Sequence, residues 1–184
     1  MKHDILIAGF GGQGVMLVGQ LLGYAACGAG KQATFFPSYG PEQRGGAANC
    51  SVVISDDDIG SPVVLSPNVL VCFNQTALDK FLPQLKPGGV LVANSALVDC
   101  AAVTRSDIEK VALPVDALAQ KVGSTKVANV IMLGAIVKKT GVLTLAEAEA
   151  AVLSKLAKKA EFIEMNQRAL ALGAAQIDGA EEPA

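Results

Sequence analysis

A glycine-rich turn near the N-terminus is the first segment whose residue types suggest chemistry. Gly9-Phe10-Gly11-Gly12-Gln13-Gly14 matches the G-x-G-x-x-G pattern between a predicted strand and a predicted helix. In that context Gly9 permits a tight turn, Gly11 lets a ligand approach the backbone, and Gly14 lets helix and strand pack closely. The free amides at the helix start suit a phosphate or carboxylate, from a ligand or from a partner chain. The candidate anion-binding residues are Gly9, Gly11, Gly12, Gln13 and Gly14.

The sequence after this turn argues against a nicotinamide dinucleotide site. Such a site needs an acidic residue about 20 residues further on, at the end of the second strand, to bind the ribose. Here the second predicted strand ends at Phe36, and the nearest acidic residue, Glu42, lies within the following loop. The patterns of short-chain dehydrogenases and of phosphate-binding P-loops are absent too. Beside anion binding, two other interpretations stay open: the glycines only permit a tight strand-to-helix turn, or they bind a dinucleotide.

A second candidate segment is the loop Pro37-Ser38-Tyr39-Gly40-Pro41-Glu42-Gln43-Arg44-Gly45-Gly46. It follows a predicted strand, and ligands of open α/β sheets bind at the carboxyl ends of strands. Arg44 can present its planar guanidinium to a carboxylate or phosphate; alternatively it ties down loop carbonyls or pairs with Glu42. The candidate active-centre residues of this loop are Tyr39, Glu42, Arg44, Gly45 and Gly46.

The remaining reactive side chains form no recognisable catalytic or metal-binding pattern. Iron–sulfur and zinc sites usually take closely spaced thiolates, but the four cysteines are widely separated: Cys27, Cys50, Cys72 and Cys100. We expect each to be a small buried apolar residue, and we predict no metal site. His3, the single histidine, starts a strand and receives no catalytic role. Asp79 and Asp116 fit a helix surface and a helix N-terminus.

The elements that must position these residues have the order of an α/β protein. Apolar runs predict strands at 5–8, 33–36, 48–54, 69–73, 90–93 and 111–115. Helices are predicted at 14–29, 76–85, 128–139, 145–158 and 162–172, so the last third is mainly helical. We predict one three-layer α/β/α domain over residues 1–178, with a mostly parallel sheet that can be mixed, and a disordered tail over 179–184.

Composition narrows the functional classes. Hydrophobic residues make up 51% of the 184 residues and charged residues 17%, so a partner is expected to cover some apolar surface. The net charge is −2 with scattered Lys and Arg, which excludes an electrostatic footprint for nucleic acid. The longest apolar run, 127–137, is much shorter than the roughly 20 residues of a spanning helix. Without a signal-peptide pattern either, we expect a cytoplasmic protein that contacts no membrane.

At the turn and the loop, the sequence resembles the gamma subunits of the 2-oxoacid:ferredoxin oxidoreductases. Their shared pattern is a G-x-G-G-Q-G turn near the N-terminus followed by a S-Y-G-x-E-x-R-G-G loop, and both stand here at 9–14 and 38–46. The resemblance covers nearly the whole chain. It continues through Ile59-Gly60-Ser61-Pro62, Leu85-Lys86-Pro87-Gly88-Gly89, Asn94-Ser95 and Asn129-Val130-Ile131-Met132-Leu133-Gly134. Residues 39–50 look most like the 2-oxoglutarate branch, although the pyruvate, branched-chain and indolepyruvate branches share much of this run.

The resemblance implies a function in a complex. Enzymes of this family oxidatively decarboxylate a 2-oxoacid, transfer two electrons to ferredoxin and release an acyl-CoA, with coenzyme A as cosubstrate. Thiamine diphosphate, magnesium and iron–sulfur clusters are expected on companion alpha, beta and ferredoxin-type delta subunits. The present chain would bind none of these alone, carry no catalytic residue, and complete the active-centre assembly. In related fused enzymes the matching domain is associated with coenzyme A binding, so this chain can contact coenzyme A as well.

The sequence agrees with that role because it has neither cluster-spaced cysteines nor the G-D-G and Asn-Asn signature of thiamine enzymes. Two other classes stay open. One is an independent nucleotide-binding oxidoreductase, which would turn over a 2-oxoacid or NAD(P)H alone. The other is a ligand-sensing α/β module without catalysis, which would lack companion subunits.

Overall fold

The computed structural model describes residues 1–39, 46–156 and 160–179. Its strands are β1 Lys2–Phe10, β2 Gln32–Tyr39, β3 Ala47–Ser55, β4 Val69–Cys72, β5 Val90–Asn94 and β6 Glu109–Leu113. Its α-helices are α1 Val15–Gly28, α2 Gln75–Phe81, α3 Val115–Val122, α4 Ala128–Thr140, α5 Leu145–Leu156 and α6 Ala160–Gly179. Short 3-10 turns follow α2 at Leu82–Gln84 and precede α4 at Thr125–Val127.

The strands form one mixed sheet in the order β2-β3-β1-β4-β5-β6. β1, β4, β5 and β6 are parallel neighbours, whereas β3 lies antiparallel between β2 and β1. The predicted α/β fold with a mostly parallel, mixed sheet is therefore confirmed. The sheet places the carboxyl ends of four parallel strands at one edge, where ligands of this architecture bind.

Both faces of the central strands are buried, which explains their continuous apolar runs. Along β1, Ile5 and Ile7 join the larger core with α1, α3, α4, α5 and α6, whereas Leu6 and Ala8 join a smaller core under α2. Segment 98–108 contributes further apolar side chains to the smaller core. This alternation is the side-chain period of two in a strand, and it produces three layers.

Several element boundaries differ from the prediction, and three of these differences have a clear structural cause. β2 continues to Tyr39 because Pro37, which cannot donate a backbone hydrogen bond, is tolerated in an edge strand. β6 ends at Leu113, and Val115 begins α3 after Pro114 instead of ending the strand. α6 extends beyond residue 172 to Gly179 because Ala174 and Ile177 are buried. Residues 180–184 of the predicted tail lie outside the described residues.

Two glycines bring α4 and α6 into unusually close contact. A Cβ added to Gly134 of α4 would overlap the carbonyl oxygen of Leu170, and one added to Gly173 of α6 would overlap that of Ile131. The two helices therefore meet backbone to backbone. This contact covers Ile131 and other fully buried residues of α4.

In the part of the chain that the structure describes, every helix is too short or too polar to traverse a lipid bilayer.

Candidate functional site

The glycine turn links β1 to α1 through two positions that tolerate no side chain. Gly14 adopts φ +82°, and a Cβ there would lie 2.6 Å from Nδ2 of Asn129 at the start of α4. A Cβ on Gly9 would lie 2.8 Å from Cβ of Phe73 at the end of β4. These glycines let the turn, β4 and α4 approach one another. Gly12, with φ +102°, has open space around its Cβ position and can face a ligand.

Gln13 acts as a structural tie within this turn. Its Oε1 accepts hydrogen bonds from the amide of Phe10 at 2.7 Å and from Nδ2 of Asn74 at 3.0 Å. Its Nε2 donates to the carbonyl of Phe73 at 3.4 Å. The side chain thus joins the ends of β1 and β4 to the N-cap of α2. The predicted ligand-binding role of Gln13 stays a prediction, and its side chain is occupied by protein partners.

A cavity of about 240 Å³ opens beside the turn, at the carboxyl edge of the parallel strands. It is lined by residues from the turn, from the ends of β4 and β5, and from the starts of α3 and α4. They are Gly12, Gln13, Phe73, Asn94, Leu97, Val115, Asp116, Thr125, Lys126, Ala128 and Asn129. We call this cavity the edge pocket. Its position follows the rule that open α/β sheets bind ligands outside the carboxyl ends of their strands.

The edge pocket offers both hydrogen-bond donors and acceptors. Asn94 is 3% exposed; its Nδ2 donates to Oδ2 of Asp116 at 3.0 Å and its Oδ1 accepts from the amide of Ala96 at 3.1 Å. The Oδ1 of Asn129 is buried and has no hydrogen-bond partner among the described residues. A buried unsatisfied acceptor is costly, so a ligand donor placed there would be favoured.

One end of the edge pocket is electropositive. The 3-10 turn Thr125–Val127 runs directly into α4, and the positive end of the helix dipole lies at this point. Lys126 lines the same end and forms no ion pair within the described residues. An anionic group therefore fits best between Lys126 and the start of α4.

The structure brings the two predicted motifs together. The amide of Gly11 donates to the carbonyl of Gly46 at 3.0 Å, so the end of the loop is held against the glycine turn. Tyr39, at the other end, is 58% exposed and lines a groove of about 360 Å³ with Gly11, Gly12 and residues of α1. Glu42, Arg44 and Gly45 lie outside the described residues.

The cysteine prediction is partly wrong. Cys50 and Cys72 are buried as expected, and burial raises the pKa of the Cys50 thiol to about 12 and that of Cys72 as well. Cys27 is exposed instead, because it lies in the last turn of α1 away from the face formed by Val18, Leu22 and Ala25. Cys100 is half-buried, and burial raises its pKa too. Among residues 1–39, 46–156 and 160–179, no three His, Cys, Asp or Glu side chains could hold a metal ion.

The acidic residues lie where the sequence predicted. Asp79 is exposed on α2, where it accepts a hydrogen bond from Nε2 of Gln75 at 2.7 Å, and Asp116 is in the first turn of α3. No sequence motif assigns Asp116, Lys126 or Thr125 to a site. Their positions in the sequence are the one indication of a site, because polar residues that directly follow buried strands or begin helices gather at one edge of the sheet.

Comparison with known proteins gives a consistent group of relatives. The family model named pyruvate ferredoxin/flavodoxin oxidoreductase matches residues 4–176. Ketoisovalerate oxidoreductase subunit VorA of Methanothermobacter thermautotrophicus is 40% identical over 172 residues, which are 92% of this chain but 35% of VorA. The chain thus spans about a third of the length of that relative.

Two relatives match over nearly their whole length. The 2-oxoglutarate synthase subunit KorC of Methanocaldococcus jannaschii is 39% identical over 163 residues, covering 88% of this chain and 87% of KorC. The crystal structure of the gamma subunit of a keto/oxoacid ferredoxin oxidoreductase from Geobacter sulfurreducens is 36% identical. It superposes with a TM-score of 0.82 over 96% of this chain and 99% of that one.

Proposed function

The chain belongs to the pyruvate ferredoxin/flavodoxin oxidoreductase family, and on that premise we propose that it is the gamma-type subunit of a multisubunit 2-oxoacid:ferredoxin oxidoreductase. The observation that carries the proposal is the match to KorC over 87% of its length. A subunit of that size would complete the enzyme rather than contain it. The hydrogen bond from the amide of Gly11 to the carbonyl of Gly46 supports this role, because it holds the end of the loop against the glycine turn.

The reaction would be the oxidative decarboxylation of a 2-oxoacid. Carbon dioxide leaves, the acyl group is transferred to the thiol of coenzyme A, and two electrons pass to two ferredoxins. Thiamine diphosphate, magnesium and iron–sulfur clusters would be bound by alpha, beta and ferredoxin-type delta subunits. 2-Oxoglutarate is the best candidate substrate, because KorC is a 2-oxoglutarate synthase subunit. The similarity to VorA makes a branched-chain 2-oxoacid the next to test.

We further propose that coenzyme A contacts this chain at the edge pocket. The phosphates of coenzyme A match the electropositive end formed by Lys126 and the positive dipole end of α4. Its pantetheine amides match the unpartnered Oδ1 of Asn129. The loop residues Tyr39, Glu42, Arg44, Gly45 and Gly46 would then serve the assembled active centre, next to the glycine turn.

The experiment is reconstitution of the complex with and without this chain. We propose that the complex occurs in the cytoplasm. The complete complex should reduce ferredoxin only when both a 2-oxoacid and coenzyme A are present. A panel of 2-oxoglutarate, pyruvate and 2-ketoisovalerate then identifies the substrate by kcat/KM. Equal activity of a complex that lacks this chain would disprove the proposal, as would 2-oxoacid oxidation by the chain alone.

A further inference from the structure

On one face of the sheet, the strands β2 and β3 have no helix over them among the described residues. Residues directly opposite in antiparallel strands point to the same side. Phe36 of β2 is opposite Ser51 of β3, and Ser51 is opposite Leu6 of β1, which belongs to the core under α2. Phe36 therefore faces the same side as α2. The core under α2 includes residues of β1, β4 and β5 but none of β2 or β3.

A short segment that contains Val64 packs over β3 on this face, where Ser51 and Val53 are buried. The amide of Val64 donates to Oγ of Ser51 at 3.2 Å, and the Val64 side chain is buried. Its neighbours Val63 and Leu65 are 43% and 77% exposed, and Phe36, which is opposite Ser51, is 45% exposed. We call Phe36, Val63 and Leu65 the docking face.

The docking face is poorly adapted to water. Segments 32–39 and 59–68 contain no Asp, Glu, Lys, Arg or His, whereas 17% of the chain is charged. The outer edge of β2 pairs with no strand in the described part of the chain. Proteins usually protect such an edge with charged residues, bulges or proline, and here only Pro37 does so. A large apolar area next to an open strand edge is typical of a surface that another protein covers.

We infer that the docking face binds the companion subunit equivalent to the part of VorA that this chain does not match. VorA contains a region related to this chain within a much longer polypeptide, of which only 35% is matched. KorC is matched over 87% of its length, so in a complex of that type the equivalent contact is made between separate chains. The partner surface is apolar and uncharged, because a buried unpaired charge would oppose binding. This inference rests on the proposed function.

Leu65→Asp tests the inference with little risk to the fold, because Leu65 is 77% exposed. The companion subunits are co-expressed with the tagged full chain, and the affinity of the purified subunits is then measured by titration. We expect Leu65→Asp to weaken binding by roughly tenfold or more and to leave the melting temperature of the isolated chain unchanged. Val63→Asp, on the same face, should behave alike.

Tyr24→Asp is the matched control, because Tyr24 is a large side chain, 50% exposed, on α1 in the opposite layer. It should bind companions with wild-type affinity. If Leu65→Asp and Val63→Asp also bind normally while the wild-type complex is active, the inference is wrong and the proposed function stands. If they only abolish self-association of this chain, a second copy occupies the face and the inference is again wrong. Failure of the wild-type chain to bind any companion would remove the proposed function and the inference together.

Discussion

At the scale of single residues, the edge pocket depends on a few polar atoms that distant segments bring together. Asn94 and Asp116 are hydrogen-bonded across 22 positions of sequence, and Asn129 reaches the pocket from α4. The glycine turn could be predicted from its pattern because the strand, turn and helix are consecutive. The pocket could not, because it needs the relative placement of five segments. In particular, no sequence pattern around Lys126 indicates that this residue lines a pocket.

Lys126→Ala should raise the KM for coenzyme A in the assembled complex and leave kcat nearly unchanged. The reason is that the lost ionic contact stabilises the ground state and the transition state equally. The contact is exposed, so the expected effect is about threefold to fivefold, up to about 1 kcal/mol. Lys121→Ala, which removes the same charge from α3, is the control. An unchanged KM for coenzyme A in Lys126→Ala would argue against phosphate binding at this end of the pocket.

Gly14→Ala should lower the free energy of unfolding by about 2 kcal/mol or more. Its φ of +82° is unfavourable for alanine, and the added Cβ would displace Asn129. Gly23→Ala provides the contrast: Gly23 is within α1 and nothing lies within 4 Å of an added Cβ. That change should stabilise the protein by up to about 1 kcal/mol. Urea unfolding of both variants measures the difference, and equal effects would contradict the packing described for the turn.

At the scale of elements, the helical third depends on its caps and on one close contact. The strand positions could be predicted from apolar runs, because a strand that is buried on both faces consists almost entirely of apolar residues. The apolar pattern of β3 does not give its direction. The connection between β2 and β3, residues 40–46, does indicate it, because it is too short for the crossover that parallel strands require. The length of α6 was underestimated because its small residues give a weak apolar pattern.

Gly173→Ala should destabilise the protein by roughly 3 kcal/mol or more. The added methyl group would overlap the carbonyl oxygen of Ile131 and force α6 away from α4. Gly134→Ala should be comparably harmful, since its methyl group meets the carbonyl of Leu170. Thermal melting compares both with Gly23→Ala. A melting temperature near that of the wild type for either variant would show that α6 can move away at little cost.

A capping box at the start of α5 should make part of the stability pH-dependent. The amide of Thr144 donates to Oε2 of Glu147 at 2.7 Å, and the amide of Glu147 donates to Oγ1 of Thr144 at 3.2 Å. The bond from the Thr144 amide lowers the pKa of Glu147. Because the folded pKa lies below the unfolded one, this stabilisation is present above about pH 4.3 and is lost as pH falls through the folded value.

Thr144→Ala should cost about 1 kcal/mol at neutral pH, and Thr144→Ser should retain most of the stability. Glu147→Gln should make the free energy of unfolding less dependent on pH between roughly pH 3 and 5. Chemical unfolding at several pH values measures both effects. An unchanged pH profile in Glu147→Gln would mean that the carboxylate contributes nothing to the cap.

At the scale of the whole molecule, the isolated chain should be colourless and inactive. The reason is that its cysteines are far apart in sequence and that two are deeply buried with raised pKa values, which disfavours thiolate ligation. Absorbance and iron analysis after anaerobic purification test this, together with assays on 2-oxoacids. Stoichiometric iron in the isolated chain would contradict it. Addition of the companion subunits should give a coloured complex that reduces ferredoxin.

The contact between α4 and α6 also has a consequence for the order of protein synthesis. The residues of the docking face, Phe36, Val63 and Leu65, leave the ribosome early, whereas α6 is among the last segments to be translated. Until α6 emerges, the side of α4 that it covers stays open to water, including the backbone around Ile131 and Gly134. The nascent chain therefore presents the residues of the docking face before its own core can close. A ribosome-bound chain that ends before α6 should recruit chaperones, and release of the complete chain should end that dependence.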